Sequence, residues 1–148
     1  MAIDRIYFRE ENFLLTIIYD QLTDQELIEH VHAINNEYDS IPGLKELADC
    51  RYLFDVSQLT ARDMLSTANA EKGTARGAIV AKSDVVFGLA SMYAAIASNI
   101  REESKAYRTL KEGINALDIG DFESVVQDQL SEASYKERFK AISKTIPE

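Results

Sequence analysis

The sequence has no tryptophan, one cysteine, two prolines and two histidines among its 148 residues. With Cys50 alone, an intramolecular disulfide is excluded, and so is a four-cysteine zinc site. The Ser–His–Asp and Cys–His arrangements of nucleophilic catalysis need a histidine base, and only His30 and His32 are available. No apolar run approaches the roughly 18 residues that a membrane-spanning helix needs. The longest, around Val85–Ile100, is interrupted by Ser91, Ser98 and Asn99 and reads as a buried helix. The N-terminal Met-Ala-Ile-Asp-Arg lacks the charged-then-apolar pattern of a signal peptide, so a cytoplasmic protein is expected. Cations are also scarce. Sixteen Lys and Arg against 25 Asp and Glu leave a formal charge of −9. That excess argues against nucleic acid, whose binding depends on neutralising phosphates, and against an anionic membrane surface. Its plainest role is solubility.

What is present is an α/β pattern. Hydrophobic residues make up 46% of the chain and charged residues 28%, ordinary for a globular protein of one domain. Two strand-like runs, Ile3–Phe8 and Phe13–Tyr19, lie almost end to end across the polar Glu10-Glu11-Asn12, which predicts an antiparallel hairpin. Phe13–Tyr19 is nearly all apolar, as expected of a strand covered on both faces. Thr23-Asp24-Gln25-Glu26 is a capping box opening a helix with Leu27, Val31, Ile34 and Tyr38 on one stripe. Ile41-Pro42-Gly43 is a turn, and Leu44–Asp49 is ambiguous, compatible with a short helical turn, before a strand over Arg51–Val56. Thr60 caps a helix to about Lys72 with Met64, Leu65 and Ala68 inward. A strand over Ala78–Ala81 leads to a Ser83-capped helix, whose stripe is Val86, Leu89, Tyr93, Ile96 and Ile100. A short strand over Ala106–Arg108 precedes a second capping box, Thr109 to Glu112, with Leu110, Ile114 and Leu117 inward. Beyond Gly120 the repeat ends. Asp121 can cap a helix bearing Phe122, Val126 and Leu130, and a further stripe of Tyr135, Phe139 and Ile142 follows. Residues 1–120 are thus a hairpin followed by βα repeats, with a mixed sheet of about five strands. Residues 121–148 are a helical extension that must bury its stripes on the same domain or in a homodimer contact.

Candidate chemistry is sparse. Ser57, Thr60 and Ser66 cluster after the strand ending near Val56, where loops at the carboxyl ends of strands bind ligands in open α/β sheets. With Asp55 and Asp63 they form a region suited to partner contact, and the same residues suit turn and capping roles. Lys72-Gly73-Thr74-Ala75-Arg76-Gly77 lacks the Gly-Lys-Ser/Thr ending of a phosphate loop and stands before a strand, so it reads as an ordinary loop. His30 falls four residues after Glu26, and both histidines are placed on the solvent side of their helix. No carboxylate pair is marked as catalytic, and no metal or cofactor is expected. Met64, Phe87, Met92 and Tyr93 can line an apolar pocket or simply belong to the core.

The order hairpin–α–β–α–β–α–β–α resembles the STAS-like, or SpoIIAA-like, domains, the fold of the bacterial anti-sigma-factor antagonists. Tyr52-Leu53-Phe54-Asp55-Val56-Ser57-Gln58-Leu59-Thr60-Ala61-Arg62-Asp63-Met64-Leu65-Ser66 carries the resemblance. In that family a strand ends in an acidic or polar residue, and a loop with an apolar residue leads to an Asp at a helix start. Leu59 and Asp63 match the last two. Ser-Ser-Gly typically follows in the family, and its second Ser is phosphorylated. Here Met64-Leu65-Ser66 stands there, so Leu65 occupies the acceptor position. Ala78–Asp84 and Tyr107–Ile114 are similar to the last two βα units of the divergent, stand-alone bacterial members. The resemblance implies a non-enzymatic regulatory protein-interaction module of unknown partner, contacting it through Ser57–Ala68. The alternative is an apolar, lipid-like small-molecule binder, since a related fold serves lipid carriers.

Leu65 cannot accept phosphate, and Ser66 is turned by about 100° along the helix. Incubation with a cognate kinase followed by phosphopeptide mapping is expected to find no stoichiometric phosphate. Full phosphorylation at Ser57, Thr60 or Ser66 would restore the antagonist-type switch.

Overall fold

The computed structural model describes residues 3–38, 43–70, 76–98, 103–120 and 123–145. Strand β1 (Ile3–Phe8) and strand β2 (Phe13–Gln21) form the predicted antiparallel hairpin, with Ile3 opposite Ile18 and Phe8 opposite Phe13. A single 3-10 turn over Arg9–Glu11 connects them, and Asn12 closes it at φ 51°, a left-handed geometry that asparagine tolerates well. Helix α1 (Asp24–Tyr38) starts at the capping box: the Glu26 amide donates to Thr23 Oγ1, and the Thr23 amide donates back to Glu26 Oε1. Then follow β3 (Lys45–Asp55), α2 (Ala61–Asn69), β4 (Arg76–Val80), α3 (Asp84–Ala97), β5 (Glu103–Tyr107) and α4 (Leu110–Ala116). Two further helices, α5 (Glu123–Gln129) and α6 (Glu132–Thr145), end the described chain.

The sheet has five strands in the order β1-β2-β3-β4-β5. Its first pair is antiparallel and the rest are parallel, as βα crossovers require. Helices cover both faces. On one, Ile18, Cys50 and Leu53 pack with Leu27 of α1, Met64 and Ala68 of α2, and Val86, Ala90 and Tyr93 of α3. On the other, Phe13, Leu15, Ile17 and Leu47 pack with Ile114 of α4, Val126 of α5 and Tyr135 of α6. This explains why β2 reads as nearly continuous apolar sequence: both of its faces are interior. Gly113 is where α4 presses closest on the sheet. A Cβ there would stand 2.9 Å from Val80 Cγ2 and 3.0 Å from Leu47 Cδ1.

Three expectations need correction. Leu44–Asp49 is not a helical turn. From Lys45 onward it is the first half of β3, an 11-residue strand. Polar Glu46 and Asp49 are buried on opposite faces, and a bulge breaks the alternation, since Ile17 pairs Asp49 but Tyr19 pairs Tyr52. His30 is not on the solvent side but 5% exposed, because it falls three residues after Leu27 and four before Ile34, on the apolar stripe itself. Leu65 faces outward, and the inner positions of α2 are Met64, Thr67 and Ala68. Elements also differ at their ends: α2 stops at Asn69, while β4 and β5 each begin earlier than expected. Ile41-Pro42, residues 71–75, Ile100, Asp121 and Phe122 lie outside the described residues, as do the side chains of Tyr38 and Ile142.

Helix α6 is fastened by an aromatic and polar seam. Tyr135 stacks on Tyr52 with ring centroids 3.8 Å apart and meets Tyr19 edge-on, while Phe139 packs against Tyr19 and Phe54. The Tyr135 hydroxyl donates to the fully buried Asp49 carboxylate at 2.6 Å. The bulge lets Arg51 fold back onto the same carboxylate, Nε at 3.0 Å, and its Nη2 also donates to the Leu130 carbonyl at 3.2 Å. Burial pushes the Tyr135 hydroxyl pKa up and the Asp49 charge adds to it, so the hydroxyl remains a donor. Tyr135→Phe removes one donor from a carboxylate that water cannot reach. The expected loss is about 1–3 kcal/mol of stability, read by urea unfolding. Unfolding indistinguishable from that of the unchanged protein would show that Arg51 alone satisfies Asp49.

Candidate functional site

The parallel strands end at one edge of the sheet, where the loop after β3 meets the starts of α1 and α2. Here the polar residues expected to contact a partner are largely engaged with one another. Asp55, at the end of β3, accepts from the Ser57 hydroxyl at 2.6 Å and from the Ser57 amide at 2.9 Å. Those two donors hold the Asp55 carboxyl below the usual carboxylate range. Thr60 caps α2 by accepting from the Asp63 amide, and its own amide and hydroxyl donate to Asp24 at 3.1 and 3.0 Å. The loop thus ties the first turns of α1 and α2 together. Ser66 is exposed on α2, where it, Asp63 and Thr67 line a second pocket, of about 160 Å³, with Ile28 and His32 of α1.

Beneath that loop lies a cavity of about 80 Å³ between the sheet and helices α1, α2 and α3. Its wall is mostly apolar: Leu22 and Leu27 at α1, Cys50, Leu53 and Val56 on and after β3, Leu59 and Met64 at α2, and Val86, Leu89 and Tyr93 of α3. Val56, Leu59, Ile79 and Leu89 are partly exposed, which marks where the cavity reaches the surface. Of the four residues expected to form an apolar pocket, Met64 and Tyr93 stand in this wall. Phe87 and Met92 pack on the same core but outside the lining. The Arg108 guanidinium lies 4.0 Å above the Phe87 ring. Cys50 presents its thiol to the wall, and burial pushes that thiol's pKa up, with Asp49 and Glu46 adding to the shift. It therefore stays protonated and serves as a small apolar surface.

One part of the wall is polar. Glu46 and His30 both line the cavity, with side chains only 6% exposed. Glu46 Oε2 accepts from the Thr16 hydroxyl at 2.6 Å and meets His30 Nε2 at 3.1 Å. On the far side of the ring, Arg5 Nη1 lies 3.1 Å from His30 Nδ1. Arginine can only donate, so Nδ1 accepts and the ring proton sits on Nε2, which donates to Glu46. A relay thus runs from exposed Arg5 through buried His30 and Glu46 to buried Thr16. This relay is hidden in the sequence, because Glu46 stands in a segment without strand alternation and His30 is polar by type. The spacing of His30 from Leu27 and Ile34 was the available signal.

Among the described residues, no group of three or more His, Cys, Asp or Glu side chains could hold a metal ion. No described helix is long and apolar enough to cross a membrane.

The sequence matches no family profile and no curated protein. Among solved structures it is similar to an uncharacterised DUF3478-family protein with a SpoIIAA-like fold from Shewanella loihica PV-4. The two share 17% identity at a TM-score of 0.51, covering 78% of this chain and 92% of that one. The hairpin, the parallel βα units that follow and the five-strand sheet give this chain the SpoIIAA-like, or STAS-like, fold.

Proposed function

We propose that this chain is a non-enzymatic binding protein that takes a small apolar molecule into the cavity beneath α1, α2 and α3. The observation that carries this reading is the cavity itself: a largely apolar wall between the sheet and three helices, opening to the surface beside the loop that follows β3. An engineered apolar cavity of about 150 Å³ stays dry and takes benzene. A volume of about 80 Å³ suits a slender chain of a few carbons. At about 0.8 kcal/mol per buried methylene, a five-carbon chain gains about 4 kcal/mol, which corresponds to millimolar affinity.

The regulatory module implied by the fold resemblance fits beside this reading. Val56 and Leu59 belong both to the cavity rim and to the loop that carries Asp55, Ser57 and Thr60. An occupant would therefore touch the segment through which a protein partner is proposed to bind. The polar groups of Ser57 and Thr60 already serve the loop, which favours a surface set by its conformation over one switched by phosphate.

Methionine methyl groups supply the test. The chain has three methionines. Met64 lines the cavity, whereas Met92 packs on the same core outside its wall. In protein labelled with carbon-13 at the methionine methyl, pentane-saturated buffer is expected to shift the Met64 signal and leave Met92 nearly unmoved. Ala90→Leu, which fills the cavity from α3, should abolish that shift without lowering the melting temperature. A Met64 signal indifferent to pentane, or one that still shifts in the Leu variant, would defeat the reading.

A further inference from the structure

The rim of the cavity is unevenly held. Of its partly exposed lining residues, Ile79 belongs to β4 and Leu89 to α3, where the main-chain hydrogen bonds of sheet and helix fix the backbone. Val56 and Leu59 belong instead to a strap, residues 56–60, between β3 and α2. Their side chains stand in the cavity wall, while Ser57 and Gln58 between them are exposed. The Leu59 amide donates to the Val56 carbonyl at 3.0 Å, which makes the strap one tight turn. At its β3 end the Leu22 amide donates to the Asp55 carbonyl at 3.1 Å, and the Asp55 carboxylate takes the amide and hydroxyl of Ser57. At its α2 end the amide and hydroxyl of Thr60 both end on the Asp24 carboxylate of α1. Thr60 is exposed and Asp24 only partly buried, so water can replace these two bonds at small net cost.

Resting on the reading of the cavity as a small-molecule site, we infer that the strap is the gate of that site and that Asp24 is its latch. An occupant enters and leaves when Thr60 releases Asp24 and Val56 and Leu59 swing out of the wall, while β4 and α3 stay in place. Local opening of this kind draws on segments held by exposed hydrogen bonds and few buried contacts. Asp24 lies outside the cavity lining and acts through Thr60, so it is a positioning residue and not a ligand contact. The latch closes over the empty and the filled cavity alike. It therefore governs how fast an occupant exchanges and not how tightly it is held.

The test uses the intact chain, n-pentane as the probe, and relaxation dispersion of the Met64 methyl signal at partial saturation. In Asp24→Ala, entry and release of pentane are both expected to be about tenfold faster, the factor that the loss of about one net hydrogen bond corresponds to. The dissociation constant should stay nearly unchanged. Removing the first-turn acid of α1 also lowers helix stability, but faster exchange at constant affinity is not what a merely destabilised helix produces. Glu112→Ala, which removes the capping-box carboxylate of α4 on the opposite face of the sheet, is the comparison and should leave the rates as they are. Should the alanine variant fail to fold, Asp24→Asn, which keeps one acceptor oxygen, is expected to give a smaller increase, and unaltered rates there would overturn the inference. Rates in Asp24→Ala equal to those of the unchanged protein would overturn it as well, since occupants would then pass with the strap shut. So would a change in affinity that accounts for the whole change in release rate. If pentane does not move the Met64 signal of the unchanged protein, the cavity reading itself fails, and this inference with it.

Discussion

The central strand β3 carries two buried carboxylates, and much of the structure is arranged to satisfy them. Glu46 and Asp49 lie three residues apart, so they point to opposite faces of the sheet. An isolated buried charge is strongly unfavourable, so each carboxylate demands donors from the layer that covers it. On one face Glu46 draws Thr16 of β2 and His30 of α1. On the other, Asp49 draws Arg51 of its own strand and Tyr135 of α6. The strand thus specifies its neighbours through hydrogen bonds as well as through apolar contact, and each face receives a different set.

The two faces use this arrangement differently. Around Asp49 the packing is dense. The rings of Tyr19, Tyr52, Tyr135 and Phe139 pack against one another, the Tyr135 hydroxyl and two nitrogens of Arg51 bind the carboxylate, and the result is a joint that holds the C-terminal helix to the sheet. Around Glu46 the packing leaves a space. Alanines at positions 48 and 90 supply little bulk, and the aliphatic side chains of α1, α2 and α3 do not fill the gap above them. A buried polar pair beside an apolar cavity is the arrangement on which the proposed small-molecule reading rests. That contrast, a closed joint on one face and an open space on the other, is why the functional reading rests on the α1–α3 side.

The loop after β3 links this space to the surface. Its conformation is held locally, by Ser57 on Asp55 and by Thr60 on the α2 amides, and across elements by Asp24 of α1. Polar groups engaged in this way give the loop a defined shape at the mouth of the cavity, and they connect the mouth to α1 and α2, two of the three helices that form its walls.

Some of this was legible in the amino-acid sequence by itself. Capping boxes at Thr23 and Thr109 and the Ser83 and Thr60 caps located four helix starts, because those hydrogen bonds form between residues three apart. Unbroken apolar character in β2 implied a strand covered on both faces, and the short Glu10–Asn12 connection implied the hairpin. Met64 and Tyr93 read from the sequence as core or as pocket wall alike, and they belong to the core on the cavity side of the sheet. What only the tertiary structure decided lies in and around β3. Lys45-Glu46 and Asp49 look like surface residues by type, and the bulge at Cys50–Arg51 removes the alternation that would have marked a strand. Glu46 and His30 are 16 positions apart in the chain, and Asp49 and Tyr135 are 86 apart. No local pattern records such pairs. Their burial became favourable only once packed helices had excluded water and brought the matching donors into place.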